Sequence, residues 1–122
     1  MIHSILFTGD FCPNFNDLDK QSFSEIENIT TNNELLVCNL ECAIQHDDQK
    51  AIIKEGPSLC CQNEQLDFIA KYCPTLFTLA NNHTLDFGEQ GLKHIFDYCN
   101  NKEYKYVGAG INLKDESETY IY

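Results

Sequence analysis

Basic side chains are scarce in this 122-residue chain: eight Lys and Arg stand against nineteen Asp and Glu, a net charge of −11. The eight are scattered. Without a basic cluster the chain has no electrostatic footprint for a nucleic-acid phosphate backbone. It also lacks any window approaching the roughly 20 apolar residues of a membrane-spanning helix. Met1 to Phe7 runs straight into Thr8-Gly9-Asp10, with neither the basic start nor the long apolar stretch of a secretory signal. No low-complexity linker or internal repeat divides it. These absences set an expectation: a cytoplasmic protein with no nucleic-acid partner and no membrane segment.

Cysteine is present, but the signals for pairing it are not. The seven residues make an odd count, none form a CxxC pair, and Cys60-Cys61 are adjacent. Cys38, Cys73 and Cys99 fall inside apolar patterns. The expectation is reduced, mostly buried thiols rather than a disulfide framework. A soft-metal site drawn from Cys12, Cys60 or Cys61 finds no support in their spacing.

What the chain does contain suits a single packed unit. Its length is about one domain by the usual prior, and one core of that size buries most of its apolar surface. Ile5-Leu6-Phe7, Leu35-Leu36-Val37-Cys38 and Leu76-Phe77-Thr78-Leu79-Ala80 are short apolar runs that each end in polar residues. Continuous rather than alternating hydrophobicity predicts strands covered on both faces, as in parallel sheets. Between them, Leu66, Ile69, Ala70 and Cys73 follow helical spacing, as do Leu92, Ile95, Phe96 and Cys99. Phe23, Ile26 and Ile29 mark a weaker helix, with Ser22 and Glu25 spaced as a capping box. Tyr104 to Val107 reads as a fourth strand and Thr119 to Tyr122 as a fifth, while residues 42–63 are irregular with a turn at Gly56-Pro57. The alternation predicts an α/β fold: a mostly parallel sheet with flanking helices. Tyr120-Ile121-Tyr122 resembles strand interior, which sets the expectation of a partial domain whose apolar edge needs a partner.

The polar residues that end the strands are Gly9-Asp10, then Asn39 and Glu41, then Asn81-Asn82-His83. In a parallel sheet these clusters share the carboxyl edge, where open α/β folds bind ligands. Two carboxylates, amide oxygens and an imidazole suit a hard or borderline divalent cation. Such an ion would offset repulsion between Asp10 and Glu41 and polarise a phosphoryl oxygen. Each residue also has a plainer reading. Asp10 opens a turn, Asn39 ends a strand, Glu41 is solvated, Asn81-Asn82 cap a loop, His83 bonds backbone, and Asp86 is an N-cap for the following helix. Taken singly the plain readings win; together they explain poorly why three strands all end in ligand-type residues.

Gly9-Asp10, Asn39-Leu40-Glu41, Ala80-Asn81-Asn82-His83-Thr84-Leu85-Asp86-Phe87-Gly88 and Gly108-Ala109-Gly110-Ile111-Asn112 resemble, in order, the motifs of the CapA-like poly-gamma-glutamate synthesis protein family. That family belongs to the calcineurin-like metallophosphoesterase superfamily, and Glu55-Gly56-Pro57 is similar to its Gly-Pro turn. The resemblance implies the N-terminal half of a calcineurin-like sandwich. It also implies two divalent ions in the intact domain, with Mn, Fe, Zn or Mg compatible. By this resemblance Asp10, Glu41 and Asn82 bind metal, and His83 donates a proton or stabilises developing negative charge. Asn39, Asn81 and Asp86 support the loops and the ring. The substrate implied is a small molecule, a phosphoester or a peptide, since some relatives resemble peptide epimerases.

Two departures accompany the resemblance. The superfamily often has a histidine two residues after its first aspartate, where this chain has Cys12, and its further metal-binding histidines come from a second half with no counterpart here. His3, His46 and His94 match no motif. The alternative expectation is therefore a catalytically incompetent half that acts through a partner, either a second copy or a C-terminal half.

Overall fold

A computed structural model describes residues 4–13, 20–45, 48–112 and 114. Its main sheet has four strands in the order β1-β2-β5-β6, all parallel: β1 (Ile5–Phe11), β2 (Leu35–Leu40), β5 (Thr75–Thr78) and β6 (Lys105–Val107). Three helices connect them, α1 (Lys20–Thr30), α2 (Asn63–Ala70) and α3 (Gly88–Asn101). The fold is α/β with a mostly parallel sheet. The apolar runs at Leu35 and Leu76 form its two central strands. Leu36, Leu40, Cys38 and Phe77 are buried there, as fits strands with neighbours on both sides.

The core joins this sheet to the helices through Leu66, Ile69, Leu79, Ile95 and Cys99. Helix α3 lies against β6 and against a second, two-stranded parallel ladder, β3 (Ala43–Ile44) with β4 (Cys60–Cys61). The segment expected to be irregular thus carries a small ladder of its own, too short to leave a periodic trace. Gly56, at the predicted turn, takes a φ of +88° that favours glycine. Asp67 on α2 accepts hydrogen bonds from Tyr98 Oη at 2.8 Å, Tyr104 Oη at 2.7 Å and Lys102 Nζ at 2.8 Å, fastening α2 to α3 and to the approach to β6.

Three local expectations change. The run at Ile5 is an edge strand rather than one covered on both faces. Phe7 is 72% exposed and Ile5 44%, because β1 has a neighbour on one side only among the described residues. Helix α1 begins at Lys20, two residues ahead of the predicted capping Ser22, and keeps Ile26 and Ile29 exposed. Asp86 does not cap α3: the N-cap position is Phe87, which has no side-chain cap bond. The fifth strand predicted at Thr119 to Tyr122 lies outside the described residues.

The thiols are free. Cys38, Cys42, Cys61, Cys73 and Cys99 are buried, and Cys12 and Cys60 half-buried. Among the described residues no helix is long and apolar enough to cross a membrane.

Candidate metal and catalytic site

Strand β1 follows β2 in register from Ile5 to Phe7, then slips, so that Asp10 pairs with Asn39 and Phe11 with Leu40. Asp10 and Asn39 therefore sit inside their strands, one residue before the last, rather than beyond the ends. Directly paired, they meet: Asn39 Nδ2 donates to Asp10 Oδ1 at 2.6 Å. The amide oxygen of Asn39 accepts from Thr78 Oγ1 at 3.3 Å and from Asn81 Nδ2 at 3.2 Å. Asn81 Nδ2 also donates to the Leu40 carbonyl at 2.8 Å, and its Oδ1 accepts the His83 amide at 2.9 Å. One continuous run of polar contacts thus links the carboxyl ends of β1, β2 and β5 to the loop carrying His83. Parallel strands in this order make that possible, since their ends lie about 5 Å apart.

Glu41 follows β2 directly. Its amide donates to the Phe11 carbonyl at 3.0 Å, which keeps its backbone beside the end of β1. Its side chain is half-buried and that of Asn82 exposed. Neither side chain has a hydrogen-bond partner among the described residues. Cys12 is adjacent: burial, then Cys42, then the Glu41 charge push its thiol up to about 12. Without a metal beside it, it is a protonated thiol at neutral pH.

The second half of the loop is built around Asp86, which is 0% exposed. Its Oδ2 takes His83 Nδ1 at 2.8 Å and the Leu59 amide at 2.6 Å, while its Oδ1 takes the Lys54 ammonium. Burial alone would raise this carboxyl. The bonds from Lys54, His83 and Leu59 prevail and hold it below the usual carboxylate range. Thr84 Oγ1 closes the loop onto the Leu79 carbonyl, and Gly108, just after β6, backs it. At φ +86°, a Cβ on Gly108 would stand 3.0 Å from Ala80 Cβ and 3.2 Å from Ala80 N. On the other side of Asn81 an open cavity of about 610 Å³ is lined by Leu79, Leu92, Phe96, Gly108 and Ile111.

The structure therefore brings Asp10, Asn39, Asn81 and His83 into one connected set and gives Asp86 to His83. Glu41 and Asn82 adjoin that set along the chain without side-chain bonds to it. Lys54 is the residue of this cluster that the sequence does not single out. It lies in a loop 32 residues before Asp86, with no motif to single it out. His94 is elsewhere, its Nε2 3.2 Å from Asn63 Oδ1. His3 and His46 fall outside the described residues.

The donors suit a hard divalent ion in kind: carboxylates from Asp10 and Glu41 and an amide oxygen from Asn82, none paired with a lysine among the described residues. They fall short in number. Among the described residues no group of three or more His, Cys, Asp or Glu is placed to hold a metal ion.

A family model described as bacterial capsule synthesis protein PGA_cap matches residues 4–122. The capsule biosynthesis protein CapA of Bacillus anthracis is 28% identical over 95 residues, which are 76% of this chain and 23% of that protein. The chain thus spans less than a quarter of the length of this curated relative.

Proposed function

Because the chain belongs to the bacterial capsule synthesis protein family, we propose that it carries part of a metal-dependent, hydrolase-type site of the metallophosphoesterase kind, serving capsule or poly-gamma-glutamate synthesis. The observation that supports this reading most is the side-chain run from Asp10 through Asn39 to Asn81 across three neighbouring strand ends. A fold that needed only turns there would not have to register three strands onto one another's side chains.

In this reading Asp10, Glu41 and the Asn82 side-chain oxygen hold divalent metal. When bound, such an ion supplies Lewis-acid stabilisation of negative charge on a phosphoryl or carbonyl oxygen. Asn39 and Asn81 do not touch it; they fix the strand ends that present its ligands. Asp86 occupies His83 Nδ1, so Nε2 is the ring atom left to exchange a proton with a substrate oxygen. The substrate is a phosphoester or a peptide, because one fold and one site serve more than one reaction.

Metal analysis of the purified protein after equilibration with Mn tests the ligand assignment. Asp10→Ala and Asn82→Ala are each expected to weaken binding at least about tenfold, by analogy with losses seen for neighbouring ligand-shell groups. Unchanged metal content in both variants overturns it. Turnover of an aryl phosphate with Mn tests the reaction, and its absence counts against phosphatase chemistry by this chain alone.

A second reading rests on a different observation, the exposed apolar side chains of Phe7 and Ile5 on the edge strand. Under it the chain works in association, with a second copy or a C-terminal half completing the site.

A further inference from the structure

Asp86 is surrounded by one stretch of chain. The Ile52 amide donates to its carbonyl at 2.8 Å, the Leu59 amide to its Oδ2 at 2.6 Å, and the Lys54 ammonium to its Oδ1. Residues 52–59 thus form a clasp around this aspartate, and the lysine is the charged member that bonds it. Lys54 Nζ also stands 3.4 Å from His83 Nδ1. An ammonium has donors only, and an ionised carboxylate acceptors only. A ring nitrogen 2.8 Å from the carboxylate is held favourably only as N–H donating to it. The ammonium then spends its hydrogen bonding on Oδ1, leaving Oδ2 to the ring and the Leu59 amide.

We propose that Lys54 is a positioning residue for His83. By occupying one oxygen of Asp86 it turns the other toward Nδ1 and locks the neutral imidazole in the Nδ1–H form. Free histidine favours the opposite tautomer, so the fold is selecting the minor one. The neutral ring then offers its lone pair at Nε2. In the site this makes His83 a proton acceptor or ligand in its neutral form, and a proton donor only after it has taken up a second proton. Without the lysine, Asp86 has an unoccupied oxygen and only the Leu59 amide, at 2.6 Å, to keep Oδ2 beside the ring. The consequence for catalysis rests on the hydrolase reading above; the tautomer itself does not.

Long-range nitrogen–proton NMR of the histidine rings, recorded metal-free at alkaline pH, reads the tautomer directly. His83→Gln identifies the His83 signals. The expected result is a single Nδ1–H pattern in the wild type and in Lys54→Arg, which restores the charge. In Lys54→Met the Nε2–H population should rise severalfold. An Nε2–H ring in the wild type overturns the proposal. So does an unchanged Nδ1–H pattern in a folded Lys54→Met, the result a merely structural clasp would give. If Lys54→Met does not fold, Lys54→Leu, which likewise has no donor for Asp86, is measured with the same two outcomes. None of these readings requires metal or turnover, so failure of the metal-content experiment leaves them standing, and their failure leaves that experiment intact.

Discussion

Asp86 shows how much a single side chain carries here. It has no exposed surface and takes three bonds through its two oxygens. Removing it leaves the Lys54 ammonium, 21% exposed, without its anion. Breaking a buried pair from one side is costly, and Asp86→Ala is expected to lower stability by about 3 kcal/mol, measured by urea unfolding. Acid should expose the same interaction. The carboxyl is held below its ordinary value of 3.8 in the folded protein. Its contribution is therefore fully present above that pH and is lost as pH falls through the lower folded value. The urea midpoint of the wild type should drop across that acidic window, and that of Asp86→Ala should drop less, having lost the term already. Of this, the sequence offers only the support of the His83 ring by Asp86, and that through the resemblance. The string Ala80 to Gly88 marks His83 and Asp86 as important, but local spacing assigns Asp86 to the start of α3. Its partners other than His83 come from residues 52–59, which no periodicity ties to it.

Among the elements, the loop after β5 depends on a close approach from the end of β6. Gly108 takes φ +86°, and a side chain there would press on Ala80 at 3.0 Å. Gly108→Ala combines left-handed strain of about 1–2 kcal/mol with that clash. It should lower the melting temperature and, by displacing the loop, weaken Mn binding as well. A loss of stability with metal binding untouched would separate the backing strand from the site. The elements themselves are the part most legible in the sequence. Continuous apolar runs identify β2 and β5, and helical spacing identifies α2 and α3, because these bury one consistent set of residues. The same kind of run at Ile5 misleads about its surroundings, since apolarity records what could be buried and not what lies against it. Strands β3 and β4, two residues each, are too short to show a period at all.

For the whole molecule, the parallel order β1-β2-β5-β6 places all three polar clusters at one edge, and it leaves β1 at the sheet's boundary. Phe7, 72% exposed on that strand, contributes little to the fold of the isolated chain. Phe7→Lys is expected to change unfolding free energy by less than about 0.5 kcal/mol. If the molecule associates through this edge, the same substitution should shift its mass by light scattering toward a monomer. A wild type that is already monomeric at high concentration removes association with a second copy, and one that also binds two metals tightly removes the associative reading. The candidate site was legible in the sequence as a set of strand ends, because parallel strands bring such ends together whatever their loops do. Which of those residues bond one another was not, since that depends on register.

The slip between Phe7 and Asp10 is where register matters most. Three steps along β1 match two along β2, and side chains alternate sides with every step. Were the full-length strand to run on without the slip, Gly9 would face Asn39 and the aspartate would emerge on the reverse of the sheet. Shortening the chain by one at Thr8 or Gly9 would match two steps to two, so a straight ladder would still set the carboxylate opposite Asn39. Losing a single codon there should spare the Asp10–Asn39 contact, whereas a strand that straightened at full length would turn the aspartate away from it.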